Sequence, residues 1–207
     1  MIKSVQSLSC KNILNTFNTN NIMVLPIYAF GQPVLKKKAS DITKDYEKIN
    51  VLIEDMWETM YAAHGVGIAA PQIGLSVRIF VIDTIQIMEE DKKSEGIKKV
   101  FINAMVIEET GELWPYEEGC LSIPNIRGDV ERQQKVRIQY CDENFVLHDE
   151  IYEGINARVI QHEYDHLEGV LFVEKLKPLK KKLIQRKLND IKLGKAEADY
   201  KIKFARI

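Results

Sequence analysis

The sequence predicts a single α+β domain, with small antiparallel β-sheets packed around a central helix that carries His162 and His166, and a further helix near the C-terminus. Helical periodicity in separate stretches, strand-like runs between them, and the lack of any linker or internal repeat support that expectation. The 207 residues suffice for one domain with a real hydrophobic core. With 45% hydrophobic and 29% charged residues, the composition is that of an ordinary globular protein. No apolar run approaches the length of a membrane span, so no membrane partner is expected.

Taken in order, residues 1–22 stand apart. They are rich in Asn, Ser and Thr, hold no acidic residue, and contain no apolar stretch long enough for a secretory signal. Met23 then opens MVLPIYAFGQPVL, which reads like an ordinary start, so residues 1–22 are expected to be a dispensable extension and residues 23–207 the working domain. From about Thr43 to Ala63, Ile49, Leu52, Ile53, Met56 and Met60 fall on one helical face. Thr43 is the expected N-cap, and Gly65 the left-handed residue that ends the helix. The glycine-punctuated loop Gly65 to Gly74 precedes an apolar strand from Val77 to Ile82, and a charged surface segment from Gln86 to Lys99 precedes another strand from Val100 to Ile107. Val136, Ile138 and Tyr140 alternate with polar residues, and Phe145 and Leu147 resume the pattern after a polar turn, as in a hairpin. A second helix is expected from about Asn156 to Leu167 and a strand from Val170 to Val173. Pro178 would open a terminal helix bearing Leu183, Ile184, Leu188 and Ile191.

Cysteine use and charge narrow the functional classes. Cys10, Cys120 and Cys141 are too few and too scattered for a disulfide framework, which points to a reducing cytoplasm. From Glu174 to Ile207 there are twelve Lys/Arg against four Asp/Glu, so a formal net charge of −1 divides into a basic tail and a body near −9. Such a tail either is a solvated basic helix or meets an anionic surface such as nucleic acid or a ribosome.

The strongest local signal is His162-Glu163-Tyr164-Asp165-His166. On a helix, residues four apart share a face, so the two imidazoles can hold one metal ion while Glu163 reaches a water beside it. Two histidines need a third ligand. The longer pattern that would supply a histidine at position 172 fails, because Phe172 cannot bind a metal. His64, His148, Cys10, Cys120 and Cys141 remain as candidates, and Cys120 stands out for its setting between Gly119 and Pro124 in EGCLSIP.

Three blocks in the same order, GVGIAAPQIG at 65–74, EGCLSIP at 118–124 and QHEYDH at 161–166, resemble the peptide deformylase family. The resemblance runs from about Met23 to the terminal helix. It implies a hydrolase that removes the formyl group from the N-terminal formyl-methionine of newly made proteins. It further implies one divalent ion on Cys120, His162 and His166, ferrous iron first and zinc, nickel or cobalt as substitutes. Glu163 would handle protons, and the Gln72 side chain and Leu121 amide would stabilise the oxyanion. Gly65, Gly67, Ile68, Glu118 and Val159 are candidates for substrate contact. Glu118 is also placed to pair with Arg127 or Arg132 and brace the Cys120 loop. The expected setting is cytoplasmic, with the basic tail as a candidate ribosome contact. Residues beyond about Lys192 are expected to be dispensable for turnover of small peptides.

Overall fold

A computed structural model describes residues 22–205; the expectation for residues 1–21 lies outside them. The chain runs through β1 (Ile27–Tyr28), α1 (Ile49–Ala62), β2 (Gly67–Ala69), β3 (Ile79–Asp83), β4 (Lys98–Cys120), β5 (Ile123–Cys141), β6 (Leu147–Glu153), α2 (Gly154–Leu167), α3 (Pro178–Lys192) and β7 (Ile202–Lys203). Strands β2 to β6 form one antiparallel sheet in sequence order, while β1 and β7 pair in parallel. The α+β class holds, with α2 as its central helix.

Each element forms where its buried face demands it. Helix α1 turns Ile53, Met56 and Met60 into the core with Ile68, Ile79, Val81 and Ile102. Helix α2 lays Ala157, Ile160 and Leu167 on the other face of the sheet, against Phe80, Phe101, Val136, Ile138 and Tyr140. The rings of Phe80 and Phe101 stack at 4.6 Å between centroids, and Phe101 meets Tyr140 at 4.2 Å. In a third cluster, α3 buries Ile184, Leu188 and Ile191 against Ile123, Ile126, Val130 and Phe172. Leu183, expected beside them, is 69% exposed.

Four boundaries differ from the sequence reading, each for a local reason. Helix α1 begins at Ile49, six residues after Thr43, because Lys48 adopts left-handed backbone (φ 57°) and Thr43–Tyr46 closes a separate turn. The left-handed residue beyond its other end is His64 (φ 55°), not Gly65. Strand β4 extends to Cys120 rather than stopping at Ile107, although its distal half, from Glu108 to Glu117, is largely exposed and its pairing with β5 shifts register repeatedly. Residues 170–173 form no strand: a 3₁₀ turn spans Phe172–Glu174, with the Glu174 carboxylate accepting the Leu171 N–H at 2.9 Å. An apolar run that short looks the same whether it folds as a strand or as a buried turn.

Candidate metal centre

Two elements carry the chemistry-bearing side chains. Cys120 ends β4, just before the two-residue turn Leu121–Ser122 that leads into β5. His162 and His166 occupy successive turns of α2 with ring centroids 5.3 Å apart. One ligand atom from each of these three residues lies within 4.8 Å of the others. The Cys120 Sγ stands 3.3 Å from His166 Nε2. A tetrahedral ion bonded at about 2.3 Å to sulfur and about 2.0 Å to nitrogen holds those atoms roughly 3.5 Å apart, so the arrangement already fits a metal.

Glu118 explains the orientation. Its carboxylate accepts His162 Nδ1 at 2.9 Å, which makes Nδ1 the protonated nitrogen and leaves the Nε2 lone pair to a metal. The same carboxylate takes Arg132 through Nε and Nη2 at 2.7 and 3.0 Å and Arg158 Nη1 at 2.9 Å. Arg132 continues to Asp165 at 2.7 Å, and Lys175 meets Asp165 at 2.9 Å. Burial alone would raise the Glu118 carboxyl, yet its bonds to His162 and Arg132 hold it well below the usual range. Arg132 is therefore the brace. Arg127, the alternative in the sequence reading, lies near Glu117 instead, at 3.9 Å.

The two imidazoles are driven in opposite directions. Burial resists charge on His162, but contact with Cys120 and Glu118 raises it well above its ordinary value. Burial and the neighbouring charge of His162 push His166 well below.

Glu163 faces the same space from the next position on α2. It is 4% exposed, and its Oε2 has no hydrogen-bond partner among the described residues. Burial pushes its carboxyl up to about 7, against the opposing pull of His162. A carboxyl in that range can take up and return a proton near neutrality. Room for it comes from Gly67, where a Cβ would stand 2.6 Å from Glu163 Oε1. On the other side, Gln72 accepts the Ala69 N–H through Oε1 at 2.8 Å, so its amide nitrogen must point at Cys120 Sγ (3.5 Å) and Ser122 Oγ (3.4 Å).

These groups open on a cleft of about 1020 Å³. Gly65, Gly67, Gln72, Glu118, Cys120, Leu121, Val159, His162 and Glu163 all line it. Ile68 does not: its side chain is fully buried in the core beneath α1. Gly65 is needed for close approach, since a Cβ there would meet Leu121 Cδ1 at 2.8 Å. Sequence reasoning missed Arg158, although it sits four residues before His162, on the histidine face, and spans Glu118, the Val130 carbonyl and the Trp114 carbonyl. It also missed Tyr200, which no local pattern announces.

The family model for polypeptide deformylase matches residues 24–182, ending before Tyr200. The curated peptide deformylase of Christiangramia forsetii is 55% identical over 189 residues, covering 88% of this chain and 96% of that protein. That of Flavobacterium johnsoniae is 52% identical over 190 residues, covering 88% and 97%. The crystal structure of a peptide deformylase from Legionella pneumophila superposes with a TM-score of 0.73 at 36% identity, covering 84% of this chain and 99% of that one.

Proposed function

The chain belongs to the peptide deformylase family, and from that premise we propose that Cys120, His162 and His166 hold its metal while Glu163, Gln72 and the Leu121 amide carry the hydrolysis. The reaction itself is metal-dependent removal of the N-formyl group from nascent peptides that begin with formyl-methionine, and formate leaves. The convergence of the three ligand atoms within 4.8 Å, beside a buried glutamate whose Oε2 has no partner among the described residues, carries the residue assignment.

Held by Cys120, His162 and His166, the ion would supply Lewis-acid polarisation. Glu163 takes a proton from the attacking water and delivers it to the leaving amine. As charge grows on the formyl oxygen, the Gln72 Nε2 and the Leu121 N–H donate to it. Both are neutral donors fixed in advance, Gln72 by the Ala69 N–H. Gly65, Gly67, Glu118 and Val159 border the peptide's path. A thiolate with two imidazoles accepts iron, zinc, nickel or cobalt, and ferrous iron is the ion we assign.

Three further readings complete the proposal. Residues 1–22 are dispensable: the Met23 N–H already donates to Asp55 at 2.7 Å, tying the chain in from that point. The enzyme works in the cytoplasm, where a metal-binding thiol stays reduced. Helix α3 meets the ribosome through Lys180, Lys181, Lys182, Arg186 and Lys187, all exposed.

Metal analysis and formate assays on single variants test the assignment. Cys120→Ala, His162→Ala and His166→Ala lose bound metal, whereas Gln72→Ala keeps it and loses rate. A ligand variant that retains full metal stoichiometry removes that residue from the set.

A further inference from the structure

The tail after α3 returns to the site. Strand β7 pairs with β1, with Ile27 N–H donating to the Lys201 carbonyl at 2.8 Å and Ala29 N–H to the Lys203 carbonyl at 3.0 Å. Gln32 Nε2 holds the Phe204 carbonyl at 2.8 Å, and Asn125 Nδ2 holds that of Glu197 at 3.0 Å. Ala196, Ile202 and Phe204 pack on the third core cluster, and Tyr200 packs on the first, as does Leu121. The tail is thus built into the fold, and Asp199 and Tyr200 form part of the cleft wall.

The contact that matters is the Tyr200 hydroxyl, which donates to the Leu121 carbonyl at 2.7 Å across 79 positions of sequence. Leu121–Ser122 is the two-residue turn next to Cys120, and a turn that short has few ways to be held. The Phe30 N–H takes the Ser122 carbonyl at 2.8 Å, and Gln72 Nε2 takes the Ser122 hydroxyl at 3.4 Å. Both of those bonds fix Ser122. Tyr200 gives Leu121 its anchor, and only φ and ψ of Leu121 separate the carbonyl it grips from the N–H of the same residue. We propose that Tyr200 is a positioning residue for deformylation, holding the Leu121 N–H on line with the developing oxyanion from a segment at the far end of the chain. The inference rests on the Leu121 amide being an oxyanion donor.

A donor held off line costs rate in the transition state more than affinity in the ground state. Tyr200→Phe keeps the ring and its packing and removes only the hydroxyl. Its kcat on a formyl-Met peptide should fall about fivefold to fiftyfold, less than the hundredfold or more that loss of an oxyanion donor brings. KM, metal content and melting temperature should hold. Replacing the Cys120–Leu121 amide by an ester removes the N–H itself, and the two changes combined separate the hypotheses. If Tyr200 acts through that N–H, Tyr200→Phe has no further effect on the ester enzyme. An ester enzyme with full activity removes Leu121 from the oxyanion site and the Tyr200 inference with it. An impaired ester enzyme alongside an unimpaired Tyr200→Phe, or one altered in KM or melting temperature alone, overturns the Tyr200 role and leaves Leu121 in place.

Discussion

Replacing Gly67 by Ala would test how tightly the proton carrier is held. An added Cβ would stand 2.6 Å from Glu163 Oε1, 2.8 Å from its Cγ and 2.9 Å from its Cδ, where ordinary contact begins at 3.4 Å. The carboxylate must therefore retreat by about 0.8 Å, the gap between 2.6 and 3.4 Å. Gly67 lies in β2 with no left-handed backbone, so alanine brings no strain of its own there. A displacement near 1 Å in a reacting group costs around a hundredfold in rate. We predict that kcat for formate release falls about 30- to 100-fold, equivalent to about 2–3 kcal/mol of transition-state stabilisation. Bound metal should stay stoichiometric, because the three atoms nearest the added Cβ all belong to Glu163 and none to a metal ligand. Formate release under single-turnover conditions, with metal analysis of the same sample, decides it. Wild-type turnover in Gly67→Ala would mean that Glu163 has slack, and the reasoning from packing to proton transfer would fail.

Arg158→Leu should destabilise the fold by about 3 kcal/mol in urea titration, since it breaks a buried pair to Glu118. It should also weaken metal binding about tenfold or more by loosening the group that orients His162. An unchanged metal affinity would confine Arg158 to folding. Glu150 is held down to about 2: burial would raise it, but Lys99, Tyr152 and Tyr140 outweigh burial. Its contribution is therefore present above about 4.3, the ordinary carboxyl value, and fades as pH falls toward 2. The stability gap between wild type and Glu150→Gln should close over that window, and a gap constant from pH 6 to 2 would contradict the sign. Peroxide should inactivate an iron-loaded enzyme faster than a zinc- or nickel-loaded one through oxidation coupled to the Cys120 thiolate. Equal rates for all three ions would argue against that coupling.

Much of this was legible in the sequence because its signals are local. His162 and His166 need only helical spacing to share a face, and Ile53, Met56 and Met60 mark their own buried stripe. Strands β4 and β5 were harder to read. Buried positions of β5 include Gly128 and Arg132, which carry no apolar signal, and the outer half of β4 is exposed. Arg158 was hidden because a fully buried arginine looks like a surface residue until its three acceptors are placed around it. Tyr200 was hidden because its meaning depends on a strand pairing between the two ends of the chain. Leu183 shows the opposite error, an apolar residue in the right stretch but one step off the buried face of α3.

Metal binding by Cys120, His162 and His166 and proton transfer by Glu163 are separate tasks of neighbouring side chains. Glu163→Gln separates them, since glutamine keeps the shape of the side chain and cannot carry the proton. Measured on one preparation, bound metal should remain near one ion per chain while formate release from a formyl-Met peptide falls about a thousandfold, the middle of the range for general acid–base contributions. A variant that loses its metal, or one that keeps most of its activity, would contradict the account.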